Sequence, residues 1–428
     1  MAFDAEKVKE VINLFTVDTE ALSTVAANFR QDMKIGLNNP DESSLRMLKS
    51  YVGLPTGAEK GEYLAMDFGG TNVRVLKIRL EGDGKFEIVK RAQKPLRVPG
   101  EYDYIGEGSK AVDMFDFLAG LVEEAVDGDH NTPYLLGHTF SFPSKQTNLY
   151  NARLIIWTKE FATSGVEGEV VNDLLKAALA RKGLTNVEPT AVINDTVAVL
   201  LSAAYKRGDT YIGAIYATGQ NICYLEPYAE SGEVPMILNL ESGGFAKLAP
   251  NRYDQKLDEA SERPGEQRLE KMVSGRYMGE IFDVVMAELL GKEKKFGFTS
   301  IDLSAIIADN SADLSTVQKT VDDKTGEKID TDAARQIQEL AKTILKRSAR
   351  LVTAAFVGTL WQLTGNGEMK KQHIAVDGSV YEKMPGAQDY INEALKELLG
   401  ADAAKVDTVL DNGGSCLGAA IAAAMSKK

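Results

Sequence analysis

Cysteine is nearly absent from this 428-residue chain. Cys223 and Cys416 are too few for a disulfide framework; they point to a reducing compartment, with each read as a small buried apolar residue. Histidine is almost as scarce: His130, His138 and His373 are too sparse for a His-based metal site. No run approaches the ~20 apolar residues needed to cross a bilayer, and the charged start MAFDAEKVKEVI lacks an apolar signal core, so a cytoplasmic location is expected. Basic blocks are missing too. With 62 acidic against 49 basic residues the net charge is −13, which argues against nucleic acid or an anionic membrane as partner. It leaves room for an anionic ligand held locally by backbone amides and helix ends. There is no GxxxxGK[ST], no GxGxxG between strand and helix, no GxSxG and no HExxH, so nucleotide use does not run through a P-loop or Rossmann site.

What is present is an ordinary globular composition, 44% hydrophobic and 26% charged, long enough for two or three domains. Val8, Val11, Ile12 and Phe15 recur at helical spacing within 5–50. EYLAMDFGGTNVRVLKIRL reads as two strands around Gly69-Gly70, with a third strand at FEIVKRA, a helix over 109–127, a strand at YLLGHTFSFP, a helix over 166–182 and a strand at TAVIND. TYIGAIYATGQNICYLEP repeats the strand–turn–strand arrangement about 150 residues later, followed by a strand in MILNLES. The two hairpins hardly resemble each other in sequence, yet the recurrence fits two similar mixed α/β domains. Helices are expected over 253–262, 265–291, 332–364 and 385–399, with the segment FTSIDL to GEKID read only as polar surface. HIAVDGSVY supplies a strand, and VDTVLDNGGSCLGAAIAAAMS a strand, a glycine turn and a helix.

Several short segments can carry chemistry. In DFGGTNVR, paired glycines let backbone approach a phosphate, Thr71 and Asn72 add donors, and Asp67 could hold a water of a hydrated Mg²⁺; a plain β-hairpin would look the same. ATGQN offers a second such turn through Thr218 and Gly219, with Asn221 facing a polar ligand. Asn194 and Asp195 stand at the end of an apolar strand, where a carboxylate can take a proton from an attacking hydroxyl or simply cap a helix. Ser141, Thr158 and Lys159 suit a neutral polyhydroxylated ligand, though any surface loop would carry the same residue types; Glu241 and the pair Gln267 and Glu270, three apart on one helical face, read singly as a solvated face.

In order, DFGGTNVR, LGHTFSFPSKQ, WTKEF, VINDTV, ATGQN, NLESGGF, PGEQRLEKMVSGRYMGE and VDGSVY resemble the hexokinase family. The resemblance implies an α/β, actin-like (ribonuclease H-like) two-domain fold, with mixed sheets flanked by helices and an interdomain cleft that closes over sugar and ATP. The expected small domain is 61–194 joined by the C-terminal helix at about 415–428; the large domain is 1–60 with 195–414. The implied reaction moves the γ-phosphoryl group of MgATP to the 6-hydroxyl of a hexose such as glucose. Asp195 falls at the family's general base, and Ser141, Thr158, Lys159, Asn194, Asn221, Glu241, Gln267 and Glu270 at its sugar-contacting positions. Lys159 also falls where a lysine reaches the transferred phosphate. Asp67, Gly69, Gly70, Thr71 and Asn72 match the first phosphate motif, Thr218 and Gly219 the second; Gly378, Ser379, Gly414 and Ser415 match the nucleotide end. No metal ligand is direct, Mg²⁺ being carried by ATP with Asp67 reaching it through water. The expected partners are the hexose and MgATP, with the chain a monomer or homodimer.

Four positions depart from the family pattern. Glu160 stands where WTKGF has glycine, Ser242 where an aromatic residue is common, Gln220 where GTGSN or GTGTN has a hydroxyl, and Leu417 at the basic position of GSGKG or GSGRG. A non-catalytic sugar sensor on the same fold, or a kinase for a different sugar, is the alternative reading. A sugar-indifferent ATPase of actin or heat-shock type would not need the SFP, WTK and NLE segments.

Overall fold

The computed structural model describes residues 3–227 and 234–426. Two larger sheets organise the chain. One has five strands: Val187–Ile193, Tyr134–Phe140, Lys60–Phe68, Asn72–Gly82 and Lys85–Pro95 in spatial order. The first three are parallel, and the last two continue antiparallel as a meander. The other has six, in the order Leu48–Lys49, Met236–Asn239, Gln220–Glu226, Thr210–Tyr216, Gln372–Asp377 and Val406–Leu410. Setting aside its short edge strand, each sheet is a three-strand meander followed by two strands reached through helices. The recurrence that the two hairpins suggested is therefore a repeat of topology, carried by strand order where sequence similarity has gone.

The five-stranded sheet is sandwiched because its strands alternate. Leu64, Met66, Phe68, Val73 and Val75 point into one apolar cluster, with the helices Ala111–Val126 and Val171–Arg181. Tyr63, Ala65, Leu76, Ile78 and Leu80 point into the other, with Asp195–Arg207 and Gly414–Met425. Backbones approach closely on that second face: a Cβ on Gly137 would lie 2.1 Å from the Ala419 carbonyl oxygen, and one on Gly418 would lie 2.1 Å from that of Ala198.

By contacts the chain forms two compact units. Unit 1 is Met1–Met47, Ala214–Ile222 and Leu240–Leu410; unit 2 is Leu48–Gly213, Cys223–Asn239 and Asp411–Lys428. Within unit 2, Val197, Ala198, Leu200 and Leu201 share an apolar cluster with Leu417, Ala419 and Ala420. Unit 1 is built around the 34-residue helix Thr331–Thr364, most of whose middle is buried. Against it packs Thr19–Asn38, close enough that a Cβ on Gly358 would lie 2.7 Å from the Ala26 carbonyl oxygen. Inside this unit Arg347 and Asp254, both buried, form a two-pronged ion pair of 2.7 and 2.8 Å.

Two expectations are corrected. The polar stretch read as surface contains the helices Ser300–Ala308 and Ser315–Thr325, which bury Leu303, Ile306, Val317 and Val321. Thr299 and Asp302 form a capping box at the start of the first. The single helix expected over 265–291 is two, Arg268–Val273 and Gly275–Leu289, divided at Ser274 with ψ 158°. The break turns the Gly275 N–H to the Ala217 carbonyl at 2.8 Å and the Arg276 N–H to that of Thr218 at 3.2 Å, which no continuous helix would allow.

Candidate functional site

In unit 2, the candidate residues are set by one strand end, two turns and an aromatic cluster. Phe68, Phe140, Phe142, Trp157 and Phe161 pack together, with Phe142 and Trp157 ring centroids 4.8 Å apart and Trp157 and Phe161 5.0 Å apart. This cluster anchors the segments that carry Gly69, Ser141, Thr158 and Lys159, so small polar residues ride on a rigid apolar base. Trp157 is further fixed by its Nε1–H donating to the Thr163 carbonyl at 2.8 Å. Thr158 is half-buried, and its carbonyl accepts the Phe161 N–H.

Asn194, not Asp195, is the N-cap of the helix Asp195–Arg207; its Oδ1 accepts the Thr196 N–H at 2.9 Å. Asp195 is the first helical residue. Its Oδ1 accepts from the Thr196 N–H at 2.7 Å and the Thr196 hydroxyl at 3.2 Å, while its own N–H donates to Ser141 Oγ at 3.3 Å. Its charge is thus tolerable at the end of an apolar strand because it sits half-buried at the positive end of a helix. The Lys159 ammonium donates to the Gly69 carbonyl and lies 5.0 Å from the centre of the Phe142 ring. Lys159 is exposed as a residue, but desolvation of the ammonium lowers its pKa against the opposing pull of Asp195 and Asp67.

Asp67 is held at both carboxylate oxygens. Oδ1 accepts from the Thr139 hydroxyl at 2.7 Å, and Oδ2 pairs with Arg74 at 2.6 Å. Arg74 is its cross-strand partner in the hairpin register, a pairing that opposite charges flanking Gly69-Gly70 could have signalled. A carboxylate so held keeps lone pairs for a water of a hydrated cation. The turn beyond it suits a polyphosphate: a Cβ on Gly70 would meet nothing within 4 Å, and Thr71 and Asn72 are exposed. Gly414 and Ser415 open the helix Gly414–Met425, another set of N–H groups suited to an anion. Gly414 is held beside Asp411, a buried carboxylate that pairs with Lys206.

Unit 1 carries the rest. Thr218 and Gly219 form the turn to which Gly275 and Arg276 donate. Gly378, at φ 132°, packs against it so closely that a Cβ would lie 2.4 Å from the Tyr216 carbonyl oxygen; Ser379 follows at the start of a short helix. Glu270 accepts the Gln220 N–H at 3.1 Å, and burial raises its pKa against that hydrogen bond and the charges of Arg276 and Lys271. Asn221 Oδ1 accepts the Ile222 N–H at 2.7 Å and the Ser242 N–H at 3.1 Å. Gly243 fits under this group: a Cβ there would meet Gln267 Oε1 at 2.6 Å and Glu270 Cβ at 3.0 Å.

Backbone strain marks the same positions. Of eight non-glycine residues with positive φ among the described residues, Lys159 (62°), Glu241 (51°) and Gln267 (51°) are candidate site residues. The structure also supplies residues missed by the sequence reading: Thr139 and Arg74 on Asp67, and Gly243 and Gly275 at close backbone approaches.

Hexokinase models match residues 7–205 and 211–425. The chain belongs to the hexokinase family. Hexokinase-7 of Oryza sativa subsp. japonica is 36% identical over 437 residues, covering 94% of this chain and 93% of its own. A crystal structure of a hexokinase is similar with a TM-score of 0.89 at 34% identity, over 98% of this chain and 99% of that one. The hexokinase from Schistosoma mansoni complexed with glucose gives 0.82 at 28% identity, over 98% of both chains. This hexokinase-family chain accordingly has the actin-like two-domain kinase fold and is an ATP-dependent hexose kinase. Among the described residues, no helix is long and apolar enough to cross a membrane.

Of the four departures, Glu160 is exposed and pairs with Arg97 at 3.4 Å. Leu417 is buried in the apolar cluster beneath the C-terminal helix, so no basic side chain emerges at that position. Gln220 and Ser242 meet each other: Ser242 Oγ donates to Gln220 Oε1 at 3.1 Å.

Proposed function

We propose that this kinase transfers the γ-phosphoryl group of ATP to the 6-hydroxyl of a hexose such as glucose, in the cytoplasm, with Asp195 as general base. The observation that carries this reading is the half-buried Asp195 carboxylate, oriented by Thr196 in the same unit as an ammonium, Lys159, held at the glycine turn Gly69-Gly70. Phosphoryl transfer asks the protein mainly for positioning and charge stabilisation. Asp195 aligns the sugar hydroxyl and accepts its proton as the oxygen attacks, an effect worth roughly 10² to 10⁴ in rate. Lys159 stabilises the charge that develops on the transferred group. Asn194, Ser141, Thr158, Asn221, Glu241, Gln267 and Glu270 hold sugar hydroxyls; the left-handed backbones of Glu241 and Gln267 are the strain expected of side chains aimed for a ligand rather than for packing.

The backbone amides at Gly69 to Asn72, Thr218-Gly219, Gly378-Ser379 and Gly414-Ser415 hold the ATP phosphates and sugar–base end. Mg²⁺ carried by ATP would supply charge neutralisation, and Asp67 would hold it through a water. The glucose carried by the Schistosoma relative supports a hexose of that class. A kinase preferring another hexose is favoured by one observation, the exchange at Gln220 and Ser242 beside Asn221 and Glu241. ATP-dependent phosphorylation of glucose, fructose, mannose and glucosamine, run side by side, tests both. Turnover is expected with glucose, and ADP release indifferent to every sugar would sink the reading.

A further inference from the structure

We propose that Gln220 and Ser242 act as one positioning pair that holds Asn221, Glu241 and Glu270 for the hexose, and so sets this enzyme's hexose affinity. The inference rests on the sugar-side roles given above. Each of the two residues departs from the family pattern, and they lie 22 positions apart, yet their side chains meet in the interior. Ser242 is fully buried and Gln220 is 3% exposed, so neither contact is a surface accident.

The departures exchange volume. By the resemblance, an aromatic residue is common at 242 and a hydroxyl usual at 220; here a short hydroxyl at 242 stands beside a long amide at 220. Interiors packed to crystal density tolerate such changes when total volume is conserved and penalise either change alone. The pair also sits at the junction of the sugar-side groups. The Gln220 N–H donates to Glu270 Oε2, and the Ser242 N–H donates to Asn221 Oδ1. Glu241 immediately precedes Ser242 with a left-handed backbone, and Gly243 follows it under Gln267. Shifting Ser242 therefore shifts groups on both sides of it. The Gln220 Nε2 is buried without a hydrogen-bond partner among the described residues.

The test is a pair of double-mutant cycles on the full chain, read by thermal unfolding and by separate KM values for hexose and ATP. Gln220→Thr and Ser242→Ala each remove one side of the contact. Each is expected to raise hexose KM about three- to tenfold, with ATP KM unchanged and kcat within about twofold, and the double variant is expected to be no worse than the worse single. In the second cycle, Ser242→Trp alone lowers the melting temperature and raises hexose KM more than about tenfold, whereas Gln220→Thr with Ser242→Trp recovers both. Additive effects in both cycles, or parallel rises in hexose and ATP KM, overturn the proposal. If Ser242→Trp does not fold, the alanine cycle still decides. A wild type without hexose-dependent ADP release overturns the kinase reading itself; an active wild type with additive variants overturns only the pairing.

Discussion

Lys159 reaches across 90 residues of sequence to donate its ammonium to the carbonyl of Gly69, in the turn assigned to the ATP phosphates. Its exposed backbone is left-handed, and its charge is held between that carbonyl and the Phe142 ring. A cation fixed in this way stabilises developing charge without reorganising, the property that makes such groups effective in transition states.

Lys159→Met is therefore expected to lower kcat by about 10² to 10³ while leaving hexose binding largely intact. Because desolvation lowers the Lys159 pKa, the ammonium is lost as pH rises at a point below the ordinary lysine range. The kcat profile should show an alkaline limb there, and Lys159→Met should remove it. A limb unchanged in the variant would assign it to another group.

The second prediction concerns stability. His138 is fully buried on the strand Tyr134–Phe140, with Nε2 3.0 Å from Asn172 Oδ1, and burial lowers its pKa from 6.5 to about 4. Above pH 6.5 the residue is neutral folded or unfolded and contributes nothing to pH dependence. As pH falls from 6.5 to about 4, only the unfolded chain takes up the proton, so stability falls with it, by up to about 3 kcal/mol. Denaturant unfolding across that window should show the loss, and His138→Gln should flatten it. An equally steep slope in the variant would place the effect on carboxylates instead.

Much of the fold was legible because strands covered on both faces read as near-continuous apolar runs, as YLAM and TAVI do. Lys60–Phe68 and Asn72–Gly82 bury opposite sets of residues on opposite sides, and the apolar strand ending at Ile193 announces the polar pair that follows. The break at Ser274 was not legible, since the periodicity continues through it; the cause is a long-range approach to Ala217 and Thr218. The helices Ser300–Ala308 and Ser315–Thr325 were hidden by polar composition, although Thr299 and Asp302 carried a capping signal.

The candidate site was legible in residue type and order but not in conformation. Nothing in the sequence gives Lys159, Glu241 and Gln267 positive φ, because no glycine or asparagine stands there to announce it. Nor could the sequence show that the unusual residues Gln220 and Ser242 touch. The sequence left Asp195 between cap and base; the structure gives the cap to Asn194, and the base role of Asp195 is the proposal made above.

The most direct test of the account is the turnover of Asp195→Ala beside its hexose binding. Asn194 still caps the helix in that variant, so folding is expected to survive. The account predicts that hexose binds within a few-fold of wild type, about 1 kcal/mol or less, while kcat falls by about 10² to 10⁴. A folded Asp195→Ala enzyme with kcat within tenfold of wild type would contradict it.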